Sequence, residues 1–220
     1  PYIKLYLLII ICFPLFGKAQ GSIADIQALE DPKKQVELAL TMNWNPNFGQ
    51  DTLQQTQELH GLLQFNKPSL KLAYYLLMAD LHSVYYDNSN KRSAFYFSKA
   101  KNYADSLGNN ELIAMVAIRQ GTYHHTYRQT IEAMPYFLNA ATLMQQASLK
   151  NMPLANLHIQ YLASFYAYLD MPKEANDFLI DALPYARPQT REKINTLTML
   201  GLNHFNLQDL KQAKSYYNNA

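Results

Sequence analysis

The chain has 220 residues, of which 49% are hydrophobic and 16% charged, and its formal net charge is +2. That apolar content excludes a disordered chain, and the length suits one or two domains or a single repeat array. A near-neutral balance without basic runs excludes an ordinary nucleic-acid binder.

Lys4 flanks an apolar run of 12 residues from Leu5 to Phe16. Spanning a membrane takes about 20. Gly17-Lys18-Ala19 then places small residues where a signal peptidase reads them, so residues 1–19 are expected to be an export signal cleaved after Ala19. A buried first helix is the alternative, and the run's position, basic flank and small-residue exit count against it. Cys12 does not read as a lipoprotein cysteine, because Ile11 precedes it where such signals need a small residue. Cleavage removes Lys4 and Lys18, so 19 basic residues become 17, against 17 acidic ones. It also removes the one cysteine, leaving neither disulfide nor thiol chemistry.

Residues 20–66 are expected to form a degenerate helical hairpin. Gln20 to Asp31 shows weak periodicity, Lys33 to Met42 reads as a short helix, and the Trp44 to Gly49 loop is rich in turn residues. Trp44 is expected to cover the open end of the core rather than to stack on a ligand. Asp51 caps a second helix carrying Leu53, Leu59, Leu62 and Leu63.

From Pro68 onward the spacing predicts helices over Ser69–Tyr86, Lys91–Leu107, Asn110–Arg128 and Thr130–Ser148. Four more follow, from about Pro153 to Asp170, Lys173 to Ala186, Thr190 to Phe205 and Asp209 to Ala220. Gly108 suits a left-handed C-cap, Pro184 should loosen the end of its helix, and Asn206 is a plausible cap for the last one. No segment alternates with period two, so no sheet is expected.

These helices pair by one rule. Gly201 and His204 lead to Ala213, Tyr217 and Ala220. Ala163 and Tyr166 lead to Ala175, Leu179 and Ala182, and Gly121 and His124 lead to Ala133, Phe137 and Ala140. In each copy 12 positions separate the two small residues, which are expected to meet at the helix crossing. A looser copy has Ala79 and His82, then Ser93, Phe97 and Ala100, with a loop two residues longer. The pattern resembles the tetratricopeptide repeat (TPR), with L-G and Y on a first helix and A-x3-F with a further Ala on the second. The resemblance covers 72–220, or about four repeats within 67–220. It departs from the family in lacking the initial Trp, and its copies recur every 38 to 42 residues rather than about 34. It implies an all-α right-handed superhelical solenoid of antiparallel hairpins. The chain begins with Pro and stops inside a second helix, so it reads as a fragment whose last repeat is truncated.

No catalytic or metal-binding constellation stands out. His124 and His125 point about 100° apart on a helix, and no histidine has a His or carboxylate four residues on. His82, His124 and His204 stand where the repeat has Tyr, and read as packed aromatics with one hydrogen bond each. Tyr74, Tyr75, Tyr85, Tyr86, Tyr216 and Tyr217 could form a binding stripe, but at helical spacing they read first as core. There is no phosphate-binding Gly-rich loop, so no enzyme activity and no cofactor is expected.

Function is therefore expected at a surface. The resemblance implies a concave groove lined by first helices that takes a protein or peptide segment. Its expected lining is Asp80, Ser83, Ile118, Thr122, His125, Gln160, Ser164, Asn195 and Thr198. Lys and Arg are absent from that set, so the carboxylate-gripping activity of one TPR subfamily is not carried over. The expectation is a non-catalytic interaction module, the extracytoplasmic sensory part of a longer bacterial signal-transduction protein. The alternative is a self-contained periplasmic scaffold. No nucleic-acid partner is expected, membrane contact would come only through a further helix downstream, and homodimerisation is left open.

Overall fold

A computed structural model describes residues 23–41, 59–64, 66–85, 91–127, 129–187 and 190–220. The expected export signal, the Trp44 loop, the Asp51 cap, Tyr86 and the loop after it lie outside these residues, as do the side chain of Tyr85 and the whole of Arg128. Among the described residues the chain is helical and contains no strand.

Two short helices come first, α1 (Ile23–Ala28) and α2 (Pro32–Thr41). Four hairpins follow: α3 (Pro68–Tyr85) with α4 (Lys91–Leu107), and α5 (Asn110–Thr126) with α6 (Thr130–Met144). The other two are α7 (Ala155–Tyr168) with α8 (Pro172–Ala182), and α9 (Arg191–Asn206) with α10 (Leu210–Asn219). Within the four hairpins each helix packs most extensively on its partner, and each hairpin also packs on the next. First helices touch first helices (α5 with α7, α7 with α9), and the second helices α4, α6 and α8 touch the first helices that follow them.

Local chemistry sets the boundaries. Asn109 accepts the Leu112 N–H at 2.9 Å and starts α5. Gly108 stands at φ +61° after α4, as its lack of a Cβ predicts. Pro184 follows the end of α8, where Leu183–Tyr185 tightens into a 3₁₀ turn. Asp209, not Asn206, caps the last helix, accepting the Gln212 N–H at 3.1 Å; Asn206 is still inside α9.

Three hairpin turns share one closure. The N–H of Gln129, Met171 and Asp209 donates to the carbonyl five residues back, on His124, Tyr166 and His204, at 3.0, 3.0 and 2.9 Å. This is the Schellman arrangement, which needs a left-handed residue just past the helix. Asp170 (φ 65°) and Gln208 (φ 62°) supply it without being glycine, at a cost of about 1 kcal/mol.

The hairpin interior also repeats. His82 stacks on Tyr96 (5.2 Å, 3°), His124 on Tyr136 (5.3 Å, 5°) and His204 on Tyr216 (5.3 Å, 24°). In the remaining hairpin the pair is Tyr166 with Phe178 at 5.2 Å. The expected packed histidines are therefore aromatic partners of the second helix. His124 Nδ1 also lies 2.9 Å from Gln129 Oε1, and His204 Nδ1 3.5 Å from Asp209.

The small residues act differently from the simple crossing expected. Ser93 Oγ does reach the Ala79 carbonyl at 2.6 Å. The glycines instead seat a ring four residues farther along the partner helix. A Cβ on Gly121 would stand 3.0 Å from the Phe137 ring, and one on Gly201 would stand 2.8 Å from Tyr217.

Between hairpins, Phe165 stacks on Phe137 at 4.2 Å and Tyr123 packs on Phe97 at 5.6 Å. Phe97, Phe137 and Phe165 are all fully buried, each contributing about 2–3 kcal/mol of apolar transfer. The N-terminal region does more than precede the array. Ser69 Oγ donates to Gln35 Oε1 of α2 at 2.9 Å, while Lys33 Nζ of the same helix donates to the Lys150 carbonyl, 117 positions away. Thus α2 bridges the start of α3 and the segment that leads into α7.

Candidate functional site

The expected groove residues all lie on first helices, but not all of them are accessible. Ile118 is fully buried, and Gln160 is buried between α7 and α9. Both are corrections to the expected lining. Gln160 Nε2 donates to Asn156 Oδ1 (2.8 Å) and to Thr196 Oγ1 (3.0 Å), and Thr196 Oγ1 reaches Asn156 Oδ1 at 3.1 Å. An amide that looks like surface in a helical pattern here joins two hairpins.

Asp80, Ser83, Thr122, His125 and Ser164 are half-buried, and Asn195 and Thr198 are exposed. Ser83 Oγ donates to the Asp80 carbonyl at 2.7 Å and Thr122 Oγ1 to the Ile118 carbonyl at 2.8 Å. These hydroxyls serve their own helix. His125 lies edge-on to Phe165 (5.4 Å) and Tyr168 (4.7 Å) of the next hairpin. Burial pulls its pKa below the ordinary histidine value, so it is neutral near pH 7.

Sequence reasoning missed Arg119. It sits one position after Ile118, yet its guanidinium reaches back to α3 and pairs with Asp80. On its other side Arg119 Nη1 lies 3.4 Å from His158 Nε2 on α7. His158 Nδ1 faces the carbonyls of Pro153 (3.0 Å) and Leu154 (3.1 Å). Carbonyls only accept, so Nδ1 carries the proton and Nε2 is free to accept from Arg119. Burial, and then the Arg119 charge, push the His158 pKa down to about 3, with the two carbonyls opposing. Burial lowers Arg119 too, and nearby Tyr161 opposes that shift. Asp80, Arg119 and His158 recur 39 positions apart, the only sequence signal that could have revealed this ladder.

The ladder pairs the Asp80 and Arg119 charges with each other. Of the expected lining, Asn195 and Thr198 are the exposed polar residues, with Ser164 half-buried beside them in the pattern. Among the described residues no group of three or more His, Cys, Asp and Glu side chains is placed to hold a metal ion. Of the tyrosines considered for a stripe, Tyr74 is buried, Tyr75 and Tyr216 are half-buried and Tyr217 is exposed. Tyr75 stacks on Tyr103 at 5.4 Å, inside the α3–α4 hairpin.

Comparison with protein-family models and with curated proteins finds no match. Among solved structures, the crystal structure of BtubC (BKLC) from P. vanneervenii is similar, with a TM-score of 0.57 and 15% identity over 84% of this chain and 77% of that one. At that identity the likeness concerns fold alone, and it is consistent with an all-helical, repeat-like architecture.

Proposed function

We propose that this chain is a non-catalytic interaction module of the TPR type, which holds a protein or peptide segment against its first helices. The observation that carries the reading is the repeated hairpin contact, an aromatic on the first helix packed on one of the second in all four hairpins, stacked in three and tilted in the Tyr166–Phe178 pair. Such hairpins wind into a right-handed solenoid whose inner surface suits extended ligands. The ligand expected for this face is uncharged and rich in backbone hydrogen-bonding groups, because the ladder neutralises its own charges. The leader pattern motivates placing the module outside the cytoplasm, as the sensory part of a longer signal-transduction protein.

Panning a random peptide display library tests the binding reading. Peptides should enrich on the purified chain and be lost on a Ser164→Arg/Thr198→Arg variant, which puts bulk and charge on the polar strip. No enrichment, or peptides indifferent to the double variant, would overturn it. A reporter fused after residue 40 tests export separately and should be active outside the cytoplasm, with a mature N-terminus at Gln20.

A further inference from the structure

The second helices carry a surface of their own, on the side turned away from the first helices and so opposite the groove. Residues two before, two after and five after the buried small residue mark it. On α6 these are Ile131, Pro135 and Leu138, with Ile131 82% and Leu138 50% exposed. The second helices on either side add Phe95 of α4 and Ile180 of α8, both exposed. Single exposed apolar side chains are ordinary, but a stripe that runs along α6 and continues onto both neighbours marks an interaction surface. Helix α6 lies between two complete hairpins. Helix α8 is near enough for its Phe178 and Asp181 to share a cavity of about 330 Å³ with Met144 of α6.

The two flanks of the stripe carry opposite charge. Helix α4 has Lys91, Arg92, Lys99 and Lys101 against a single carboxylate, Asp105, which pairs with Lys101 at 2.6 Å. Helix α8 has Glu174, Asp177 and Asp181 against a single cation, Lys173. Glu132 is the one charge on α6. All of these side chains are exposed. Positions match across the stripe: Arg92 and Glu174 both stand one before the small residue, and Lys99 and Asp181 both six after it. Lys91 and Lys173, two before it, are the one like-charged match.

We propose that this face pairs two copies of the chain about a two-fold axis parallel to α6. Such an axis lays α6 on the α6 of its copy, apolar stripe on apolar stripe. It also sets the basic α4 of each copy over the acidic α8 of the other. A two-fold axis across the helices would set α4 on α4 and α8 on α8, like charge on like charge, so the charge pattern selects the first pairing. An anionic membrane surface would meet the three carboxylates of α8. A covering segment of this chain would leave the matched flanks unexplained.

Sedimentation velocity of the 220-residue chain over a range of concentrations tests the pairing. A monomer–dimer equilibrium is expected, weaker at high salt. Lys99→Glu and Asp181→Lys should each weaken the dimer by about tenfold or more, since each sets like charges together twice. An equimolar mixture of these two variants should restore it, because every flank contact again joins opposite charges. Leu138→Glu should abolish the dimer and leave the helical circular dichroism unchanged. A chain that stays monomeric at every concentration would overturn the proposal, as would a dimer indifferent to the charge changes or a mixture that restores nothing. So would a monomer whose thermal stability Leu138→Glu lowers, because a segment of the same chain would then cover the stripe.

Discussion

The ring of Tyr217 lies where a Cβ on Gly201 would stand, 2.8 Å away, whereas the Phe137 ring is 3.0 Å from the same point on Gly121. The tighter contact is the cheaper one to disturb. Tyr217 is 44% exposed and can swing out, but Phe137 is 1% exposed and stacked on Phe165. Alanine in a helix interior gains about 1 kcal/mol over glycine. Gly201→Ala should therefore match or slightly exceed the parent's stability. Gly121→Ala should lose about 1–2 kcal/mol, because overpacking outweighs propensity. Urea denaturation of the two variants checks the order, and the reverse order would mean that the Gly121 ring seat is not rigid.

Much of this hairpin arrangement was legible because it is local. Periodicity and caps place α4 at the expected residues, and α3, α5 and α9 within a residue or two. The spacing extends α6 through Ser148, but the helix ends at Met144. What the spacing could not show is how each helix rotates against its neighbours. Ile118 and Gln160 lie on the expected groove side of an isolated helix, but both are buried, Gln160 against Glu192 and Thr196 of the next first helix. The reach of Arg119 to Asp80 is equally invisible to spacing, since a long side chain can reach an adjacent hairpin from a position that does not face it. The bridge from α2 to Lys150 depends on tertiary packing across 117 positions, and no local rule encodes it.

The Asp80–Arg119 pair is half-buried, with 30% and 15% of the two side chains exposed. Asp80→Ala would leave the Arg119 guanidinium enclosed with its counter-charge gone. A loss of about 2–3 kcal/mol is expected, below the full cost of breaking a deeply buried pair. Adding Arg119→Met should recover part of that loss, since the uncompensated charge goes too. A double-mutant cycle measures the coupling, and additive effects would show that the pair is energetically silent.

His158 makes stability depend on pH. Its folded pKa is about 3, against about 6.5 unfolded, so below pH 6.5 the unfolded chain binds the extra proton. The stabilisation is whole above pH 6.5 and is lost as pH falls through the window down to about 3. At pH 5 the loss is about 2 kcal/mol, from 1.36 kcal/mol per pH unit. His82 is lowered by burial and then by Arg92, and His125 by burial, so both act in the same direction. Denaturation at pH 7.5 and pH 5 should show the drop, and His158→Gln should shrink it. An unchanged slope in that variant would place the pH dependence elsewhere.

Gln208 holds φ 62° in the turn that closes α9 onto α10, and its side chain is exposed. Gln208→Gly removes the left-handed strain while adding some unfolded-state entropy, for a net gain of about 0.5–1 kcal/mol. Gln208→Val should lose more than 1 kcal/mol, since a β-branched residue tolerates that conformation worst. Thermal melts of the pair test the Schellman turn directly.

The last prediction concerns where the fold opens first. Helix α10 has ten residues, and only Ala213 among them is buried. Its packing partner is α9, whereas α5 packs against α4, α6 and α7 and buries eight residues. A helix of ten residues is marginal by itself in water, so nearly all its stability must come from packing. In stacked hairpins that packing is a sum of nearest-neighbour terms, and α10 receives one where inner helices receive several. Local opening of α10 should therefore need much less free energy than global unfolding. Amide hydrogen exchange should be fastest in Leu210–Asn219, apart from α1, and slowest in Asn110–Thr126. Exchange in α10 as slow as in α5 without any ligand would mean that the end face is already covered in solution.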